Sequence, residues 1–369
     1  MASQIKFIAK TRSDFYKTLT ARIDDYFEQK HISKTADYRM VVKTAVMFAL
    51  YFIPYAFILS GLLSLNLMWL ATTVMGLGLA GIGMSVMHDA NHAAYSSKRW
   101  VNKLMGWSLD VVGGNSFNWK IQHNVQHHTY TNIYGHDLDI RDRMNLRFTP
   151  AVKRNFMHRF QVVYAFILYA LQTFFWVLIK DLIQVFEFAK DDADKLTQGE
   201  RVKRFLLLTV AKAIYFTYIL VIPALVLHLL WWQVVIGFMT MHAVAGLVLT
   251  TVFQLAHIVE NTEFPELDIQ GNINEEWAIH QLRTTANFAP KNKLITFYVG
   301  GLNYQVEHHL FQRICHVHYP DISPIVQRTC NEYGIPYLSN EKFSDALLSH
   351  IKLLQKLGFK ETIKMASDI

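Results

Sequence analysis

The sequence predicts an all-α membrane protein, with four transmembrane helices in two hairpins and a cytoplasmic helical cap. Three observations predict it. Hydrophobic residues make up 52% of the 369 positions and aromatics 14%, against 18% charged, and mean hydropathy is positive at +0.15; such a balance suits lipid contact. Two long runs, Thr44 to Met87 and Ala213 to Ala256, contain no Asp, Glu, Lys or Arg. Nine Lys or Arg residues precede Thr44, and neither hairpin tip carries any.

Residues 1–43 are polar and charged, which leaves no cleavable signal peptide there. The run 44–87 would measure roughly 66 Å as one helix at ~1.5 Å per residue, about twice the ~30 Å bilayer core, so it folds back. Its turn is expected near "SGLLSLN" (60–66), where Gly61 and small polar residues interrupt the apolar pattern. The run 160–179 is also charge-free and long enough to span. Parity argues otherwise: a crossing would export the charged stretch 180–204 and return His257 opposite His88. It reads as a helix in or under the interface. The second hairpin, 205–256, turns near "HLLWWQ" (228–233), and 257–369 is back on the starting side. The positive-inside rule makes that side, with both termini, cytoplasmic, in a bacterial inner membrane or the endoplasmic reticulum. The chain is thus one domain: an N-terminal segment 1–43, a hairpin 44–87, a cap 88–204, a hairpin 205–256 and a C-terminal part 257–369.

Two cysteines, Cys315 and Cys330, are too few for a disulfide framework and lack zinc-thiolate spacing. The net charge of +7 comes without a dense basic stripe interleaved with aromatics, which argues against nucleic acid. An anionic leaflet, an acidic electron-donor protein or a phosphorylated substrate carrier fits it better.

Histidines gather where the hairpins end. His88, in "HDANH", is the first ionisable residue after the first hairpin, with His92 four residues on, a spacing that puts two imidazoles on one helix face. "HNVQHH" repeats this with His123 and His127 and adds His128, about 100° further round. "QVEHH" places Gln305, His308 and His309 at i, i+3 and i+4, and His257 is the first ionisable residue after the second hairpin. Any one of these alone reads as a cap or a hydrogen-bonding residue. Adjacent pairs recurring in two segments, each beside an i+3 or i+4 partner, point instead to a metal site with room for two ions, completing the predicted cap. His242, midway along a span, reads as an interhelical hydrogen-bonding residue. His228 belongs near the opposite surface, His316 and His318 read as a surface or supporting pair, and His31, His158 and His350 as ordinary residues.

Imidazole suits zinc, copper, iron and nickel alike. The H-E-x-x-H pattern of a zinc protease is missing, and no Cys or Met ligands are spaced for copper(I). Two irons with many nitrogen ligands would form an oxygen-reactive centre able to attack an unactivated carbon, a chemistry suited to a lipid substrate. A haem-binding or metal-transporting protein would favour single histidines within the membrane or ionisable residues at mid-span, and these histidines cluster at the cytoplasmic end.

At "HDANH", "HNVQHH" and "QVEHH", in this order and with hairpins before the first and third, the chain resembles the membrane fatty acid desaturases over nearly its whole length. The glutamine opening the third box, "NIYGHDLDI" and "WAIHQLRTTANF" resemble the front-end or linoleoyl-CoA branch. The resemblance implies a non-haem di-iron centre that uses O2 and two electrons to place a cis double bond in an acyl chain carried as acyl-CoA or membrane lipid. It implies His88, His92, His123, His127, His128, His257, His308 and His309 as ligands, with Gln305 where other branches have histidine. A lipid hydroxylase or ketolase with a similar centre is the nearest alternative. The roughly 40 residues before the first span are too few for a fused cytochrome domain and hold no HPGG motif, so a separate ferredoxin or small cytochrome is the expected donor. Asp89, Asn91, Asn124, Asp137, Asp139, Glu260, Asn303 and Glu307 are candidates to orient the ligands, and His280 stands between that role and ligation. Trp69, Trp107, Phe117 and Trp119 are candidate walls of an apolar tunnel.

Overall fold

A computed structural model describes residues 5–9, 13–141, 146–190 and 193–360. Its described residues are mostly helical, and their contacts divide the chain into two compact units, 1–37 with 122–165 and 252–369, and 38–121 with 166–251.

Five described helices are long and apolar enough to cross a membrane: Tyr38–Leu59, Leu65–Asn91, Phe156–Lys190, Gln198–Leu227 and Trp231–His257. The first two are joined through Gly61 at φ +71° and the last two through His228 at φ +50°, both inside the expected turns. The Phe156–Lys190 helix is the addition to the expected four. Its apolar run does not stop at Lys180 and Asp181, because Asp181 accepts a 2.6 Å salt bridge from buried Lys212, which also donates to the Gly113 carbonyl. A paired charge of this kind is tolerated where a lone one would end the buried segment.

Within the second unit, small residues let helices touch backbone to backbone. A Cβ at Gly78 would meet the Tyr51 backbone nitrogen at 2.6 Å, and one at Gly246 would meet the Tyr169 carbonyl oxygen at 2.6 Å. Such contacts replace the hydrophobic drive that lipid does not supply. His242 hydrogen-bonds Tyr215 at 2.7 Å and Thr173 at 3.2 Å, the interhelical role expected of it.

The first unit has a conventional apolar core. The helix Phe15–Lys30 buries Phe15, Leu19, Ile23 and Phe27, every fourth residue and hence one face. That face packs on Leu282, Val306, Leu310 and Ile322, so the N-terminal helix supports the segments that carry the third histidine box. A two-residue parallel pairing, Asn287–Phe288 with Ser339–Asn340, fixes the chain ahead of that box. Cys315 and Cys330 are both buried and form no disulfide.

Candidate metal centre

Box 1 lies in the second unit. The helix Leu65–Asn91 widens to π geometry over Ile82–Val86, just before His88. His88 and His92 are buried, with ring centroids 4.7 Å apart and the Trp119 ring 5.6 Å from each.

The other predicted ligands lie in the first unit. Box 2 occupies a second π segment, Ile121–His127, where the sequence spacing had suggested an α-helix. The difference has a consequence for His128. Closing each turn over five residues instead of four stacks position 128 on position 123. Their Nε2 atoms accordingly lie 3.2 Å apart, whereas α-helical spacing would have turned His128 away.

The ring nitrogens are oriented from behind. His127 Nδ1 donates to Asp137 at 3.1 Å, with Asp139 at 3.7 Å. Burial opposes a charge on this ring, but the two carboxylates outweigh it and hold its pKa above the ordinary value. His309 Nδ1 donates to Gln281 Oε1 at 2.7 Å and His257 Nδ1 to the Thr284 carbonyl at 3.3 Å, while His308 Nδ1 lies 3.2 Å from the Tyr319 hydroxyl. Gln305 Nε2 lies 2.9 Å from His257 Nε2. One nitrogen from each of His127, His257 and His309 falls within 4.8 Å of the others, and the same holds for His128, His308 and His309. His309 therefore joins two adjacent triads. Asp139 also groups with His123 and His127.

The residues fit a metal. His127 Nε2 is buried with no hydrogen-bond partner among the described residues, and the opposite ring nitrogen is committed to Asp137. That is the arrangement of a ligating histidine, its second nitrogen held by a carboxylate so that the lone pair of the first is fixed in direction. A donor set made almost wholly of imidazole nitrogens, with Asp139 the carboxylate that groups with them, suits a transition metal rather than calcium or magnesium.

Of the supporting residues named from sequence, Asp137 and Asp139 meet His127, and Asp89 lies 3.8 Å from His88 Nδ1. Glu307 holds the third box by its carboxylate, which accepts from Asn287 and Tyr337 at 2.8 Å each; burial pushes that carboxyl up to about 6 against these bonds. Asn303 turns to the Ala289 carbonyl and Thr296, and Glu260 is exposed near Lys352. His280 belongs to none of the triads; its nitrogens face the Thr131 carbonyl at 2.9 Å and Glu275 at 3.3 Å, both acceptors. His316 and His318 are buried, not at the surface, and His318 Nε2 donates to the Thr35 carbonyl. Gln281, Thr284 and Tyr319 escaped sequence reasoning. Gln281 and Thr284 reach the histidines from another segment, where the hint was their place in "WAIHQLRTTANF", and Tyr319 returns to His308 from 11 residues on.

Trp107 and Phe117 do line a cavity, a cleft of about 1050 Å³ within the second unit. Trp69 lines a separate apolar cavity of about 230 Å³, and Trp119 is packed against box 1.

Comparison with known proteins agrees with this geometry. A family model described as "Fatty acid desaturase" matches residues 64–340. The chain is 36% identical to an sn-1 linoleoyl-lipid 6-desaturase of Arthrospira platensis, over 96% of this chain and 95% of that one. It is 37% identical to the sn-1 linoleoyl-lipid 6-desaturase of a Synechocystis species, over 97% and 98%. An acyl-lipid (8-3)-desaturase of Physcomitrium patens is 32% identical over 97% of this chain and 74% of its own length. The chain belongs to the fatty acid desaturase family and is an oxidoreductase, a membrane fatty acyl desaturase.

Proposed function

We propose that the enzyme desaturates acyl chains of membrane lipids at two iron ions held by His88, His92, His123, His127, His128, His257, His308 and His309, with Gln305 beside them. The observation that carries this reading is the pair of triads sharing His309, backed by Asp137 and Gln281. When bound, iron supplies activation of O2 for attack on an unactivated C–H bond. Over the reaction a CH2–CH2 pair loses two hydrogens, and O2 with two further electrons and two protons leaves as two waters. Those two electrons come from a separate carrier, a ferredoxin or small cytochrome, drawn to basic residues on the cytoplasmic side. The chain's own part is to hold imidazoles in one tautomer and to keep the centre buried.

Four helices cross in this reading, in two hairpins, and Phe156–Lys190 stays on the cytoplasmic side, which keeps His88 and His257 on one face of the membrane. The whole chain acts as one desaturase domain. A lipid hydroxylase or ketolase is not favoured, given the named relatives.

Purified protein should carry about two irons per chain without haem absorbance. Expression in a host with a simple fatty-acid profile should yield new double bonds locatable by mass spectrometry. His127→Ala and His308→Ala should abolish both readouts; iron and product surviving in both variants would remove these residues from the ligand set.

A further inference from the structure

The cleft of about 1050 Å³ changes character along its length. Towards the tips of the Tyr38–Leu59 and Gln198–Leu227 helices its walls are apolar, with Phe52, Leu59, Ile214 and Ile222. At the other end, near the start of Gln198–Leu227, stand Lys103, Lys120, Lys203 and Arg204. From Arg204 to Ile222 the helix rises roughly 27 Å at ~1.5 Å per residue, more than half of the ~30 Å hydrocarbon core that two opposed acyl chains fill. The wall also includes Asn91, which sits in sequence between His88 and His92. One acyl chain fits this shape.

The cations of the cleft outnumber its acids, five (Lys103, Lys120, Arg201, Lys203 and Arg204) against three (Asp110, Asp194 and Glu200). Asp194 is engaged by Arg201 at 2.8 Å, Glu200 accepts from Thr197 at the helix start, and Asp110 accepts from Asn115 and the Ser116 amide. Among the described residues no salt bridge holds Lys103, Lys120, Lys203 or Arg204. Two of them are positioned by aromatic rings instead: the Arg204 guanidinium lies 4.3 Å from the Phe117 ring centroid and the Lys103 ammonium 5.0 Å from that of Trp107. Such contacts steer a cation's direction without consuming its charge. Lys120 is held below its ordinary pKa by desolvation, with the charges of Arg204 and Lys103 adding to that and Asp110 opposing it. Crowded like charges at the mouth of an apolar cleft are relieved by an anion.

We infer that this cleft binds its acyl chain attached to a phosphate-bearing group, with the phosphate held by Lys103, Lys120 and Arg204 and the chain running towards Ile222. The inference rests on the desaturase reading for why an acyl chain enters, and it adds the chemistry of the carrier. Two sources present that chemistry, a glycerophospholipid and an acyl-CoA, and both differ from an uncharged glycolipid. Lys203 extends the same field, and the Arg201–Asp194 pair borders it without contributing net charge.

The test is binding, read without turnover. Full-length protein in neutral detergent is titrated, at fixed ionic strength, with dilinoleoyl phosphatidylglycerol, linoleoyl-CoA and dilinoleoyl monogalactosyldiacylglycerol. A fluorescent fatty acyl probe reports displacement. At least one phosphate-bearing ligand should outcompete the galactolipid in the wild type. Lys120→Gln/Arg204→Gln should weaken that ligand by tenfold or more while leaving the galactolipid unchanged, since the loss is of charge-assisted contacts alone. Lys98→Gln, an exposed lysine outside the cleft, should change neither. The ligand that loses affinity identifies the carrier. Equal affinity for charged and neutral ligands, or retention of phosphate preference in the double variant, overturns the inference. Because iron and product play no part in this readout, failure here leaves the desaturase reading standing, and absence of product leaves this result intact.

Discussion

At the scale of single residues, the centre depends on groups behind the ligands as much as on the ligands. Asp137 accepts from His127 Nδ1 and from the Asn132 backbone amide at 3.0 Å, so it fixes both the ring and the turn after box 2. Asp137→Asn offers the ring a weaker acceptor or an opposing donor. Iron affinity, measured by competition with a chelator, should fall by roughly 10–100-fold while the chain stays folded; unchanged affinity would mean that His127 is oriented by other contacts. The histidines themselves were legible because their spacings are local and their pairs improbable as surface residues. Gln281 and Tyr319 were not, since no local pattern tells a glutamine 28 residues before His309 that it will face that ring. Asp137 was legible only as a neighbour in sequence.

At the scale of elements, Lys212 and Asp181 join the Gln198–Leu227 and Phe156–Lys190 helices inside the second unit. Both side chains are buried, 9% and 1% exposed, so removing one partner strands a charge. Lys212→Met or Asp181→Ala alone should cost about 3–5 kcal/mol, visible as a lowered thermal transition of the detergent-solubilised protein. The double variant Lys212→Met/Asp181→Leu should recover most of that loss, because neither charge then needs a partner. A double variant as unstable as the singles would assign the loss to packing instead. This pair is also why the extent of Phe156–Lys190 was hidden in the sequence. Charges that end an apolar run look like the edge of a helix, and only the partner on another helix shows that the element continues through them.

At the scale of the whole molecule, the five apolar helices leave two topologies, which differ in the position of residues 193–197. With four crossings that loop shares a side with the N-terminal segment; with five it lies across the membrane. Single cysteines introduced at Ser13 and Lys195 should label from the same face of sealed vesicles with an impermeant maleimide, against a background in which native Cys315 and Cys330 are buried. Labelling from opposite faces would make Phe156–Lys190 a crossing helix. The hairpins were readable because the two charge-free runs are each twice a bilayer long, a constraint that length alone imposes. A run of 20 residues imposes none, since the same length serves a span and an interfacial helix equally.

The π segment at Ile121–His127 makes box 2 sensitive to counting rather than to chemistry. It holds one more residue per turn than an α-helix, and that surplus is what aligns His123 with His128. Adding a residue beside exposed Val125 would leave every histidine, carboxylate and glutamine in place and still disarm the box. His123 and His128 would then stand six positions apart, a spacing that neither α nor π geometry stacks. A one-residue insertion should thus cost metal as completely as a ligand substitution, whatever side chain is chosen, whereas deleting Val125 should let the turn relax to α geometry and retain it. Insertions inside this box would therefore mark a silent centre as surely as the loss of one of its histidines.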